Sequence, residues 1–485
     1  MKLHHLSIND LQLGLKNNNF SALELKKYFS ERIDKLQPKL NAVITKVDNL
    51  EAKINQKDIN SITNNIPIIH KDTFCTQGIR TTAGSKILDN FIPPYNAHIV
   101  DELANAGMQI IAKANMDEFA MGSSNKNSAY GICKNPWNLN RISGGSSGGS
   151  AVCIAAGLTP IATGSDTGGS IRLPASHCGV TGIKPSYGNV SRYGLIAYAS
   201  SLDQAGVFAR RAEDCAHILQ VMMNYDKRDS TQIPINKRDS LLTSKSLSQH
   251  LNSSVKNKKI GICQKLINNT DEAQRKVLDQ AIKKLIDLGM TPIEVDLKYI
   301  DEALSAYYII ATAEASSNLS RYDGVRYGIR SKDAKNIEQV YAQSRAQGFG
   351  EEVKRRILLG TFVLSHGYYE AYYLSALKIR RLIINMFKEI FSKCDLLALP
   401  VSPKPPINID SNNHPTDEYL SDVLTVPINL AGLPALSMPV GFTDNSLPIG
   451  LQLSAPYFGE GLLLSSAHQY QQITDFHLRY PPEFD

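Results

Sequence analysis

A chain of 485 residues with 42% apolar, 20% charged and 7% aromatic side chains can bury a substantial core and is neither disordered nor fibrous. Its net charge of +6 comes without a Lys/Arg run of the kind that forms a nucleic-acid arm, so the excess is read as solvated surface. Seven cysteines, odd in number and without a Cys-x-x-Cys pair, exclude a secreted disulfide framework, and with no apolar leader and no run of 18 apolar residues the expectation is a cytosolic enzyme or binding protein with no membrane segment.

In chain order, Ser21 followed by Glu24 reads as a capping box that opens a helix over 21–36, within an N-terminal helical region reaching to about residue 60. Strands are expected at 66–72, 108–115, 159–166 and 205–210, with helices at 98–107 and 212–224 between them. This alternation implies an α/β fold whose sheet is covered by helices on both faces. A polar stretch over 225–257 reads as an excursion within a single domain spanning 1–485. A β-α-β unit follows over 258–297, then helical stretches at 307–322 and 350–373, strands at 395–402, 434–441 and 448–456, and a last helix near 459–473.

The segment "SGGSSGGSAVCIAAG" (143–157) places a glycine- and hydroxyl-rich loop directly before an apolar helix. A phosphate cradle would need a lysine after the last glycine, and none is present. Gly144 to Gly148 match the Gly-x-Ser-x-Gly spacing of a nucleophile elbow, but the preceding "NPWNLNRIS" is no strand, so that match is set aside. Downstream, "GSDTGGSIRLPASHCG" (164–179) has a strand, adjacent glycines, a serine and a helix pattern. Gly168 and Gly169 allow successive N–H groups to converge as an oxyanion hole requires, with Ser170 in that nest. A serine nucleophile needs a base. Lys71, at the end of the apolar run "IPIIHK", would be desolvated there and its pKa lowered from about 10.4.

Lys71, "GGSSGGS" and "GSDTGGSIR" together resemble the amidase signature family. The resemblance implies the amidase signature fold with a central mixed β-sheet. It also implies a Ser-cisSer-Lys triad with Lys71 as base, Ser146 as the bridging serine after a cis peptide, and Ser170 as nucleophile. The oxyanion would be held by the N–H groups of Thr167, Gly168, Gly169 and Ser170.

Outside the signature, stretches such as "KDTFCTQG", "NMDEFAMGSS", "GFGEEVKRRILLGTF" and "LTVPINLAGLPALSMPVG" resemble the branch of that family formed by glutaminase subunits of tRNA-dependent amidotransferases. That implies glutamine as substrate, B and C partner subunits in a heterotrimer, misacylated tRNA reached through the complex, and ATP and magnesium at the partner rather than in this chain. Recognising free glutamine calls for a cation at its carboxylate and an anion at its ammonium. By position, Arg356 would take the carboxylate, Asp422 the ammonium, and Tyr307 would orient the side chain, with Arg355 and Tyr308 the neighbouring registers. Two readings compete with this one: a free-standing hydrolase of small amides and a non-catalytic scaffold protein. Metal catalysis is not expected, because His4-His5, His70, His98 and His366 show no paired ligand spacing. Ser176-His177 and Cys153 depart from the family's usual residues, which bears on local packing.

Overall fold

The computed structural model of the chain describes residues 2–47, 61–234, 246–411 and 418–485. Its strands are β1 (Val43–Lys46), β2 (Pro67–Lys71), β3 (Gln109–Ala114), β4 (Ile161–Asp166), β5 (Thr181–Lys184), β6 (Gln204–Ala209), β7 (Lys259–Ile262), β8 (Thr291–Glu294), β9 (Leu396–Pro400), β10 (Ala435–Phe442) and β11 (Pro448–Ser454). All eleven join in one sheet in the order β1-β3-β2-β4-β6-β5-β10-β11-β9-β7-β8. The triplets β3-β2-β4 and β9-β7-β8 run parallel and the remaining pairs antiparallel, so the sheet is mixed.

Every residue of β2, β4, β5, β6, β9 and β11 is buried. Strands enclosed on both faces read as unbroken apolar or small-residue runs, which is why the sequence located most of them. Two escaped it. β1 and β5 have four residues each. β5 reads "TGIK", with no alternation to mark it, and it forms because β6 and β10 supply partners on both sides.

The capping box forms as read, with Ser21 Oγ accepting from Glu24 N at 3.2 Å and the Glu24 carboxylate accepting from Ser21 N at 2.7 Å. The N-terminal region holds helices Ile8–Lys16 and Ala22–Leu40 before β1, and residues 48–60 lie outside the described residues. Within the polar stretch, residues 235–245 also lie outside, while Asp226 before them is bound to Ser191 at 3.0 Å and Arg228 at 2.7 Å. The helix expected at 307–322 runs instead over Ile300–Asn318. The stretch 350–373 is not one helix. Helix Glu351–Val363 ends, Gly367 adopts φ +83°, and a wide turn at Tyr369–Leu374 leads into helix Ser375–Phe391. Among the described residues no helix is long and apolar enough to cross a membrane.

For the site, the decisive pairing is β2 beside β4, parallel, with Ile68 opposite Ile161 and Ile69 opposite Ala162. Their C-terminal ends place Lys71 next to the turn after Asp166, the end of a parallel pair at which α/β proteins build their sites.

Candidate active site

The glycine-serine loop is packed, not free. Ser147 Oγ donates to the Ser165 carbonyl at 3.1 Å and Ser150 Oγ to the Thr163 carbonyl at 2.8 Å, which pins the loop and the first turn of helix Gly148–Ala155 to β4. A Cβ on Gly145 would lie 2.0 Å from Asp117 Oδ2, and one on Gly149 would lie 2.3 Å from the Asn115 carbonyl. The glycines are therefore there for close approach. The Gly145–Ser146 peptide is cis.

Lys71 is completely buried and its Nζ donates to Ser146 Oγ at 2.7 Å and Ser165 Oγ at 2.9 Å. Burial pulls its pKa down to about 7, against the opposing pull of the Asp117, Asp166 and Asp203 carboxylates. A neutral amine can accept a proton. Ser170 is joined to this pair through the backbone, its carbonyl accepting from Ser147 N at 3.2 Å, and alone of the three it is partly exposed, at 8%. Among the described residues no hydrogen bond links the Ser146 and Ser170 hydroxyls.

The turn 167–170 has its carbonyls turned inward. Gly168 O accepts from Thr425 Oγ1 at 2.6 Å, Gly169 O from Leu173 N at 2.8 Å, and Ser170 O from Ser147 N. The N–H groups of Gly168, Gly169 and Ser170 donate to no acceptor among the described residues. Gly169 takes φ +146°, and a Cβ there would strike Thr425 Oγ1 at 2.3 Å. Beneath the turn, Asp166 Oδ1 accepts from Arg172 Nη2 at 3.0 Å, and Oδ2 from Arg172 Nε and Ile171 N at 3.1 Å each. Burial alone would raise the Asp166 carboxyl, but the Arg172 guanidinium holds it well below the usual carboxylate range. Arg172 Nη1 also reaches the Thr425 carbonyl at 3.0 Å and Gln452 Oε1 at 2.6 Å.

The expected recognition residues come together here. Arg356 is buried, donating through Nε to Glu352 at 2.8 Å and through Nη1 to Tyr198 Oη at 2.7 Å; Nη2 has no protein partner among the described residues. Asp422 is also buried, accepting from Ser123 Oγ and, at 3.5 Å, from Tyr308 Oη. Burial pushes its carboxyl up to about 7. Tyr308 bridges the two charges, its ring centroid 5.3 Å from the Arg356 guanidinium. Tyr307 lies against the nest, since a Cβ on Gly168 would be 2.7 Å from its hydroxyl. Of the neighbouring registers, Arg355 is half-exposed and paired with Glu352, whereas Tyr308 does belong to the site. A cleft lined by Ser123, Asn127, Glu352, Arg356, Glu418 and Tyr419 opens beside Arg356.

The sequence reading missed Asp166, Arg172, Thr425, Tyr198, Glu352 and Ser123. The first two were visible as an acid and a base flanking the nest within "GSDTGGSIR"; Thr425 had no local signal, because its partner is more than 250 residues away. The departures fit the packing. Ser176 Oγ accepts from Gly450 N at 3.0 Å, and Cys153 is buried within its helix. His177, kept neutral by burial with its pKa near 3, lies against Gly144, where a Cβ would come within 3.1 Å of Nδ1. The grouping His4, His5 and Asp485 has metal-ligand proximity but involves none of the site residues, and Asp485 is already paired with Lys2 at 3.2 Å.

The family model described as Amidase matches residues 24–464. The A subunit of glutamyl-tRNA(Gln) amidotransferase from Chromobacterium violaceum is 50% identical over 486 residues, covering 98% of this chain and 99% of that protein. Its namesake from Moraxella catarrhalis is 50% identical over 98% of both. The crystal structure of the A subunit of the Thermotoga maritima glutamyl-tRNA(Gln) amidotransferase superposes with a TM-score of 0.80 at 37% identity, covering 96% of this chain and 93% of that one. A 6-aminohexanoate cyclic dimer hydrolase shares the fold, with a TM-score of 0.85 at 23% identity and 99% coverage of both chains.

Proposed function

The chain belongs to the amidase family, and on that premise we propose that it is the glutamine-hydrolysing subunit of a tRNA-dependent amidotransferase, supplying ammonia for the conversion of Glu-tRNA(Gln) to Gln-tRNA(Gln). One observation carries glutamine as the substrate: Arg356 and Asp422, 66 positions apart in sequence, are buried on either side of Tyr308, beside the nest. That pair suits a free amino acid, with the carboxylate on Arg356 Nη2 and the ammonium on Asp422. A hydrolase of small amides has no use for it, and the relatives named above are half identical over nearly the whole chain.

In this reading neutral Lys71 takes the Ser146 proton while Ser146 takes that of Ser170. Ser170 Oγ attacks the side-chain amide carbon of glutamine, and the carbonyl π pair moves onto oxygen, where the N–H groups of the 167–170 turn receive it. Collapse breaks the C–N bond as the proton returns through Ser146 to nitrogen. Ammonia leaves, a glutamyl ester remains on Ser170, and water hydrolyses it by the same relay.

Ammonia then passes to a B subunit, where ATP and magnesium activate the tRNA-bound carboxylate, with a C subunit completing a cytoplasmic heterotrimer. Asp-tRNA(Asn) is a second acceptor where the B subunit can seat it. Support for an assembly comes from the helix that carries Arg356: its outer side and the following turn expose Leu358, Phe362, Tyr368 and Tyr372. The rings of Phe362 and Tyr368 lie 4.2 Å apart, and those of Tyr368 and Tyr372 5.9 Å. A contiguous exposed apolar patch of this kind marks an interaction surface.

The test is a reconstituted complex carrying Ser170→Ala. It should assemble normally by gel filtration and fail to amidate misacylated tRNA with glutamine, yet recover with ammonium salts at high concentration. An intact complex that ammonium does not rescue refutes the division of labour.

A further inference from the structure

We propose that Glu118 is a positioning residue that locks the Arg356 end of the substrate site to the catalytic loop; the inference rests on the glutaminase reading above. It starts from two adjacent acids, Asp117 and Glu118, in the apolar stretch "NMDEFAM", both buried. Adjacent carboxylates in a core need separate sets of donors, and each here has its own.

Asp117 serves the catalytic loop. Its N–H donates to the Ser146 carbonyl at 3.2 Å, and its carboxylate accepts from Asn125 N at 2.9 Å and Asn127 N at 3.1 Å. Those bonds fold the loop that presents Ser123 to Asp422.

Glu118 serves the recognition helix. Its Oε2 accepts from Gly350 N at 2.8 Å and its Oε1 from Ser85 Oγ. Gly350 is the N-cap of helix Glu351–Val363, which has no side-chain cap of its own. Glu118 thus supplies from another part of the chain the side-chain acceptor that this helix start lacks. Gly350 must lack a side chain for this, since a Cβ there would lie 2.4 Å from Glu118 Oε2. The clasp is two residues wide, because the ring of Phe119 packs on that of Phe349, centroids 5.7 Å apart. Phe119 and Ala120 hold φ of +50° and +61°, a conformation disfavoured for residues with a Cβ; the turn they make accompanies the division of the two carboxylates between different partners.

Six residues into that helix lies Arg356, with Glu352 one turn before it. The distance between the carboxylate-binding guanidinium and the scissile amide is therefore set through Asp117-Glu118. A shift in that distance weakens the contact that seats the substrate carboxylate, a loss that falls mainly on KM.

The experiment compares glutaminase kinetics of the complete assembly in four forms: wild type, Glu118→Gln, Arg356→Ala and the double variant. Glutamine at 118 has a single, neutral acceptor oxygen for Gly350 N and must turn Ser85 Oγ from donor to acceptor, which weakens the clasp, so KM for glutamine should rise about tenfold while kcat changes much less. In the Arg356→Ala background the same change should add almost nothing, because the group it positions is gone. Gly350→Ala, which displaces the contact from the other side, should reproduce the KM effect, and it carries the test if Glu118→Gln does not fold. Equal losses in both backgrounds, a fall confined to kcat, or an unchanged KM overturns the proposal. A wild-type assembly that does not hydrolyse glutamine overturns the functional reading itself, and this inference with it.

Discussion

In the proposed relay Lys71 can act as a base only because the fold has removed its water. With its pKa at about 7 it is protonated and inert below that pH, and neutral above it. Asp422, raised to about 7, loses over the same range as pH falls the charge that in this reading would hold an ammonium. Both effects have one sign, so kcat/KM for glutamine should climb as pH rises through about 7 and then level off. Lys71→Ala should lower turnover about a thousandfold or more and leave only the Asp422 contribution to that limb; a variant that keeps wild-type turnover removes Lys71 from the relay. Arg356→Ala tests recognition. It should weaken glutamine use by about 2–4 kcal/mol in kcat/KM, as loss of a buried charge contact does, and affect an amide without the α-carboxylate far less. Equal losses for both substrates make Arg356 structural.

At the level of elements, the nest depends on a buried ion pair. Asp166 ends β4, Arg172 begins the next helix, and their bidentate contact holds the turn from below. Arg172→Met would leave the Asp166 carboxylate buried without its cation, a change that destabilises by about 3–5 kcal/mol. Chemical denaturation should register that loss, and the surviving folded fraction should have little glutaminase activity because the N–H groups no longer converge. Full activity at reduced stability confines Arg172 to the core. The elements themselves were legible where burial leaves a continuous apolar run, as in β9, and where a cap is local, as at Ser21 and Glu24. They were not legible where a partner elsewhere supplies the stabilisation. β5, held between β6 and β10, is the clear case; helix Glu351–Val363 starts where it was expected, at 350, and only its end ahead of Gly367 went unread.

For the whole molecule, the exposed patch on that helix predicts an assembly defect separable from catalysis. Phe362→Glu should reduce co-purification of the partner subunits and glutamine-dependent tRNA amidation while the chain melts at its usual temperature; undiminished assembly places the interface elsewhere. What the chain is could be read from its residues alone: Lys71, the Gly-Ser loop and Ser170 follow one another at set spacings, and the chemistry requires those residue types. Arg356 and Asp422 were nameable too, but only by resemblance, since each taken singly is an ordinary surface charge. Tertiary structure decided that they are buried against one tyrosine, that Ser146 rather than a neighbouring serine meets Lys71, and that Asp166, Arg172, Thr425 and Glu118 hold the parts in register. The reason is physical. A residue's type limits the chemistry it can do, but desolvation, hydrogen-bond partnership and charge proximity are set by groups that can lie more than 250 residues away, as Thr425 and Gly168 do.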